Sequence, residues 1–357
     1  MSLFKLQQNQ LPQQSGFTLG QTCRFVIPRD FPMEGFAIRV QPTLSAAAAT
    51  IAPEGVFALI KNIRLTVNDG GSSRNVINAD SMSMAQRWLQ YNGNLDTATL
   101  LAFAGAFGST GAKDITIPFT FAPNCVEDPV RSHFLLNLPR FNSDPVLEIQ
   151  FGTQAEVDTH ATPTFAISAM TVDLVTLKRF VKVPYWQYLD TEFFTSSQDY
   201  PNNSANQIYD IPVPGYHMSI GARPYSSATA LGDFTQSGGF VTIQALNTFE
   251  RRIQPGNLLK MNQYSEGSDV TAGGANGAQR VLAASLYWWD YLTDLGGSNA
   301  MTLDGVLDTN PFVNVGTGPQ VVWDLNGGSG KKIVFTHDRF FGDINPYRYL
   351  KPATPGA

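Results

Sequence analysis

From Cys23 onward the chain alternates apolar and polar residues with a period of two. Phe36, Ile38 and Val40 alternate with Ala37, Arg39 and Gln41. Ile63, Leu65 and Val67 alternate with Arg64 and Thr66. The same rhythm returns at Ile115–Phe121, Leu147–Phe151 and Phe165–Thr171. Successive strand side chains point to opposite faces, so each run predicts a strand with one buried face. After Val67 the residues Asn68-Asp69-Gly70-Gly71-Ser72-Ser73 supply a turn, because Gly, Asn and Asp tolerate positive φ.

Two stretches break the rhythm. Asp80–Tyr91 spaces Met82, Ala85, Trp88 and Leu89 at helical intervals, with Asn78 or Asp80 as the cap. Asp96–Phe107 is rich in Ala and Leu and predicts a second helix. Lys178–Leu189 bridges to a second half that repeats features of the first. Residues 27–42 read Ile-Pro, a loop, Gly35-Phe36, an alternating strand and Pro42. Residues 211–224 read Ile-Pro, a loop, Gly215-Tyr216, an alternating strand and Pro224. An apolar strand is expected after each, at Val56–Ile60 and Phe240–Ile243. Helix-like residues follow near Leu258–Gln263, and closing strands at Gln320–Leu325 and Lys332–Thr336. Self-similarity at half the chain length points to two copies of one β-domain. With short strands and turns rich in Gly and Pro, each copy reads as a sandwich.

Composition sharpens this picture. Charged residues make up 15% of 357, against roughly 25% in an average soluble domain. Arg outnumbers Lys, 15 to 9, and the aromatics include 24 Phe. Interface cores lose charge and gain aromatics and Arg, so such a surface suits protein partners. The first 182 residues hold 14 charges of each sign; the remainder hold 10 basic and 15 acidic ones. No basic run exceeds two residues, and pairs such as Arg251-Arg252 and Lys331-Lys332 are too short to grip a nucleic-acid backbone. Cys23 and Cys125 are expected to be buried thiols and not a bridge. The start has no apolar stretch of signal-peptide length and no run long enough to span a membrane, which predicts synthesis and folding in a cytoplasm. Residues 1–20 are Gln-rich, with Leu3, Phe4 and Leu6 as their apolar cluster. They read as an arm, ordered only when something binds it.

No pattern carries catalysis. His133, His160, His217 and His337 are far apart and lack metal-ligand spacing, so each is expected to be a loop or strand histidine. G-x-S-x-G is absent. Gly327-Gly-Ser-Gly-Lys-Lys332 lacks the leading Gly of a phosphate loop, where Leu325 stands, and a strand follows it; a hairpin turn is expected. A sugar hydrolase needs paired carboxylates in a cleft, and Val146–Phe151 offers Glu148 alone. Trp288, Trp289 and Trp323 could stack on sugars or pack in a core. No catalytic residue, cofactor or metal ligand is assigned.

Several of these features fall in a particular order: Gly35-Phe36 opening a strand, Phe57–Asp69 with its turn, the helix around Trp88, then Ile115–Phe121 and Pro139–Phe151. Tyr185-Trp-Gln-Tyr-Leu189 follows as a linker, and Val321–Leu325 and Ile333–Phe335 close the chain. This layout resembles the double-jelly-roll major capsid proteins of tectiviruses and their relatives in the adenovirus lineage, tailless icosahedral viruses that include bacteriophages with an internal membrane. The resemblance runs from about residue 20 to 350. It implies an all-β chain of two tandem eight-stranded antiparallel jelly rolls with short helical insertions. The expected division is an arm over 1–20, one roll over 21–182, a second over 183–350 and a tail over 351–357. It further implies a homotrimer forming a pseudo-hexagonal capsomer of a virion shell, with neighbouring capsomers, minor capsid or vertex proteins and, as in members that enclose one, a lipid membrane as partners. Leu3, Phe4, Lys5 and Leu6 are then expected at the inner surface, against a neighbour or lipid head groups. The other readings are a minor vertex or spike protein of the virion and a carbohydrate-binding jelly roll.

Overall fold

In the computed structural model the described residues are 6–92, 106–123, 130–179, 188–200, 204–227, 230–231, 241–245, 248–254, 258, 287–291, 306–313, 315, 318–325 and 331–342. The first half gives ten strands: β1 (Leu6–Gln10), β2 (Gln14–Ser15), β3 (Thr22–Val26), β4 (Met33–Ala46), β5 (Ile60–Asp69), β6 (Ser72–Ala79), β7 (Gly111–Ala112), β8 (Ile115–Thr120), β9 (Val146–Phe151) and β10 (Ala166–Arg179). The second gives ten more: β11 (Asp190–Tyr200), β12 (Ser204–Asp210), β13 (Tyr216–Ser227), β14 (Ala230–Leu231), β15 (Val241–Ala245), β16 (Thr248–Ile253), β17 (Tyr287–Asp290), β18 (Leu307–Asp308), β19 (Gln320–Leu325) and β20 (Lys331–Phe341). Helix α1 spans Ser81–Asn92 and α2 spans Gln154–Val157.

The pairing repeats between the halves. In the first, β1-β10-β4-β8 form one sheet and β3-β9-β5-β6 the other. In the second, β11-β20-β13-β17 match the former and β12-β19-β15-β16 the latter. Among the described residues each half is thus a four-on-four antiparallel sandwich, and the recurrence at 27–42 and 211–224 falls on the equivalent strands β4 and β13. A short parallel pairing, Phe193 to Ile77 and Phe194 to Asn78, joins β11 to β6 and fuses two of the sheets.

The alternation read from sequence builds the first core. Ile63, Leu65, Val67, Leu147 and Ile149 bury one face of β5 and β9 against Phe36, Ile38 and Val40 of β4. Their outward faces carry Arg64, Thr66, Glu148 and Gln150. Where β4 crosses β8 the backbones nearly touch: a Cβ on Gly35 would sit 2.2 Å from the Phe119 carbonyl oxygen. The β5–β6 hairpin turns on Gly70 and Gly71, both at positive φ, between paired Asp69 and Ser72.

Two expectations change. Val56–Ile60 is not a strand: Gly55–Leu59 is a 3-10 helix with all five residues buried. A continuous apolar run has no period to distinguish strand from buried helix, and Gly55 at φ 58 turns the chain out of extended geometry. The segment read as an arm is, over Leu6–Gln10, a strand along β10, with Leu6 opposite Arg179. The Gln10 and Gln13 amides donate to Asp173 at 3.2 and 3.0 Å, so polar side chains anchor it where an apolar stripe is missing. Leu3, Phe4, Lys5, Cys125, residues 96–105 of the helix expected over 96–107, residues 180–187 of the bridge over 178–189, residues 259–263 of the helix-like run 258–263 and residues 327–330 of the Gly-rich run 327–332 lie outside the described residues.

Candidate assembly surfaces and the seam between the sandwiches

The second half of the fused sheet is covered on both faces. Registered neighbours share a face, so Ile220, Phe335, His337 and Trp289 point toward the opposing sheet of their own sandwich. Phe193, Thr195, Asp338, Thr336, Ser219 and Arg223 point the other way, toward α1 and the first half. Helix α1 is therefore a strut between the two sandwiches. Asp80 caps it, accepting from the Ser83 N–H at 2.9 Å.

The polar side of α1 binds the second half. Arg87 and Asp338 are each 2% exposed, with Nε 2.6 Å from Oδ2. Arg87 also donates to the carbonyls of Thr120 (2.6 Å) and Phe121 (3.2 Å), and its guanidinium lies 4.6 Å from the centre of the Phe119 ring. Burial pushes the Asp338 carboxyl up and the nearby Asp290 carboxylate adds to this, with Arg87 opposing both. Farther along, Arg223 clasps Asp80 at 3.0 Å, and the Thr336 hydroxyl donates to Ser83 Oγ at 3.0 Å. Burial works against a charge on Asp80, but Arg223 and the Ser83 donors outweigh it and hold the carboxyl below its usual range. At the linker end Asp190 takes Arg74 at 2.9 Å and is paired with Arg140, which also reaches Asp69 at 3.0 Å.

Sequence reasoning missed this seam. Its signal was present: twelve helical residues with a single charge, Arg87, on a side that would carry several if water covered it.

Of the residues the sequence singled out, Trp288, Trp289 and Trp323 are all fully buried. Trp288 faces the seam and closes on Gly221; Trp289 and Trp323 lie in the second core. None offers a platform for a sugar. His217 and His337 are buried strand histidines, His133 is buried, and His160 is exposed. Cys23 is a buried free thiol that donates to Gln14 Oε1 at 3.3 Å, and burial pushes its pKa up to about 12. Among the described residues no group of three or more His, Cys, Asp or Glu side chains is placed to hold a metal ion.

Among the described residues β3 and β12 each pair with another strand along one edge only. β3 and β12 occupy equivalent edge positions in the two halves, and each shows an exposed aliphatic residue, Val26 at 52% and Ile208 at 45%. An open edge with apolar side chains invites a partner.

No protein-family profile and no curated sequence matches the chain. Solved structures do. The crystal structure of the STIV major capsid protein aligns with 97% of this chain and 99% of its own at a TM-score of 0.65 and 11% identity. The major capsid protein from Bacteriophage PM2 covers 95% and 98% at 0.54 and 14% identity. The Faustovirus major capsid protein covers 95% and 90% at 0.56 and 8% identity. The chain has the double-jelly-roll fold. The two sandwiches are its rolls, and agreement over nearly the full length of each chain includes their arrangement, not one roll alone.

Proposed function

We propose that this chain is the major coat protein of an icosahedral virus and that it works by self-association, without catalysing a reaction. Three copies form a pseudo-hexagonal capsomer. The observation that carries this reading is the equivalence of the rolls: three chains present six similar units, with β3 and β12 repeating the same edge around the ring. Apolar surface buried there contributes about 25 cal/mol per Å² before the entropic cost of association.

The division proposed is rolls over 21–182 and 183–350, the first completed by β1 and β2 from the segment 1–20, and a tail over 351–357. β1, the end of β10 and the end of β20 lie near one another: Leu6 pairs with Arg179, Glu34 pairs with both Arg179 and Arg131, the Leu189 N–H donates to the His133 carbonyl, and Phe341 pairs with Asp190. This region faces the shell interior, and Leu3, Phe4, Lys5 and Leu6 contact a neighbouring capsomer, a minor protein or lipid there. The virion is the protein's location, after synthesis in the host cytoplasm.

Light scattering of the purified chain at several concentrations tests the reading. A particle of three times 39.0 kDa is expected; a monomer that resists concentration would refute it. In assembled shells, protease should cut residues 1–5 more slowly than in free trimers, and equal rates would remove the arm contact.

A further inference from the structure

Within the chain, β6 of the first roll meets β11 of the second in parallel, Ile77 to Phe193 and Asn78 to Phe194. β6 ends the sheet β3-β9-β5-β6, whose counterpart in the second roll, β12-β19-β15-β16, ends in β16. β11 begins the sheet β11-β20-β13-β17, whose counterpart in the first roll begins with β1. Among the described residues β16 pairs with β15 alone and β1 with β10 alone. The two strands equivalent to the joined pair therefore each keep one edge without a partner strand.

The equivalence holds residue by residue. Leu65 of β5 lies opposite Leu147 and Ile77, and Ile243 of β15 lies opposite Val321 and Arg251. Leu65, Leu147, Ile243 and Val321 are all core residues. A register shift follows at the same place in each roll, between Leu65 and Thr66 and between Ile243 and Gln244. Arg251 and Arg252 thus stand where Ile77 and Asn78 stand. In the other sheet, Ile38 and Ile220 each precede a strand proline by four residues, Pro42 and Pro224. Ile220 lies opposite His337, which lies opposite Phe194. Ile38 lies opposite Leu174, whose carbonyl accepts the Leu11 N–H at 2.9 Å. Leu11 thus stands where Phe194 stands, and Gln10, opposite Val175, where Phe193 stands.

The edge of β1 is also undefended. Edge strands commonly carry a Lys, a Pro or a bulge that discourages pairing. Leu6–Gln10 reads Leu-Gln-Gln-Asn-Gln, and its register with β10 is unbroken. The Leu11 N–H is directed at β10, so that of Gln10, on the alternate side, points away from it.

We propose that β1 of one chain adds in parallel to β16 of a second copy, with Gln10 in register with Arg251 and Leu11 with Arg252, so that the pairing inside the chain recurs between chains. This rests on the coat-protein reading. Three chains then close a ring of six rolls through six equivalent junctions, three within chains and three between them.

The test uses the full-length protein carrying both Gln10→Cys and Arg251→Cys. Adjacent strands lie about 4.8 Å apart, within the roughly 4.4–6.8 Å between Cα atoms that a disulfide spans. After oxidation, non-reducing electrophoresis should show a covalent trimer in the double variant and monomer in each single variant. Light scattering of the same samples separates the pairing from the reading beneath it. A particle of three times 39.0 kDa that yields no covalent trimer would overturn the pairing and leave the coat-protein reading standing; a monomer would overturn both. Gln10→Pro removes the outward N–H, Gln10→Ala keeps it, and both lose the side-chain contact with Asp173. Trimers of Gln10→Pro should dissociate on dilution at a concentration at least tenfold higher than those of Gln10→Ala. Equal behaviour of the two would also overturn the pairing.

Discussion

Two buried histidines make the second roll sensitive to mild acid. His217 and His337 are fully buried, with ring centres 5.6 Å apart in an edge-on contact. His217 Nε2 lies 3.0 Å from the Pro212 carbonyl, and His337 Nε2 lies 2.7 Å from the Tyr209 hydroxyl. Tyr209 is in turn 2.5 Å from Ser196 Oγ. The charged group bearing on both rings is Arg339, of the wrong sign to welcome a proton. Burial first, and Arg339 with it, lowers the pKa of His217 from 6.5 to about 4. His337 falls well below 6.5 through burial, His217 and Arg339. As pH drops below 6.5 the unfolded chain takes up protons that the folded one refuses. The stability from His217 is therefore complete above pH 6.5 and lost progressively down to about pH 4. At about 1.4 kcal/mol per pH unit, the full loss is roughly 3 kcal/mol, and His337 adds in the same direction. Asp338 acts oppositely: its raised carboxyl protonates in the folded state first, so acid favours folding there and partly masks the slope. Urea unfolding followed by tryptophan fluorescence between pH 8 and 4.5 measures the sum, above the range where Asp80, whose carboxyl is held low, begins to titrate. His217→Asn retains an N–H donor without titrating, and it should flatten the slope. A stability unchanged from pH 7 to 4.5, or an identical slope in His217→Asn, would refute the reasoning.

The seam gives two further tests by the same measurement. Asp338→Asn leaves Arg87 charged and buried, and should cost about 3–5 kcal/mol at pH 7.5 and less as falling pH puts a proton on the parent's Asp338. Arg87→Met should cost about as much at pH 7.5 and less as pH falls, because loss of the guanidinium raises the Asp338 carboxyl further; a deficit unchanged from pH 7.5 down to pH 4.5 would contradict the pairing. Gly221→Ala places a methyl 2.6 Å from Trp288 ring carbons and 3.2 Å from Thr336 Cβ, and overpacking of this kind costs about 1–3 kcal/mol. Gly108→Ala, with nothing within 4 Å, should stay within about 0.5 kcal/mol of the parent; similar melting temperatures for the two variants would show that the contact is relaxed in solution.

The strands of the first roll were legible because water covers one face of them and a core the other. Arg64 and Glu148 alternate with Leu65 and Leu147, and a period of two is what such a position imposes. β20 was legible only at its apolar residues. Lys332, Thr336 and Asp338 look like a solvent face, yet Thr336 and Asp338 are buried under α1, and no local pattern tells a polar residue facing water from one facing another roll. The Trp-Trp pair at 288–289 was ambiguous for a related reason: both faces of β17 are covered, so neither side chain breaks the apolar run. β1 escaped because its partner, β10, lies more than 150 residues away, and its side chains are amides whose acceptor, Asp173, could not be guessed from spacing.

A polar seam is a costly way to join two rolls, since desolvating Arg87, Asp338 and Arg223 consumes much of what their pairing returns. An apolar seam of the same size would hold as firmly but would tolerate sliding by a side chain's width. Arg87 cannot slide: its guanidinium meets a carboxylate on β20 and the carbonyls of Thr120 and Phe121 at the end of β8, and any shift leaves one of them unpaired in the dark. Arg223 and Asp80 impose the same condition at the far end of the strut. The angle between the rolls is thereby set by hydrogen-bond geometry. For the proposed ring of six rolls from three chains, that angle would decide whether the ring closes, because closed symmetry demands that the rotation within a chain agree with the rotation between chains. On this argument a seam variant that still folds, such as Arg87→Met combined with Asp338→Leu, should regain stability relative to either single change and yet form trimers of mixed geometry that fail to build shells. Uniform shells from the double variant, seen by electron microscopy, would show that the polar contacts set stability alone and not the angle.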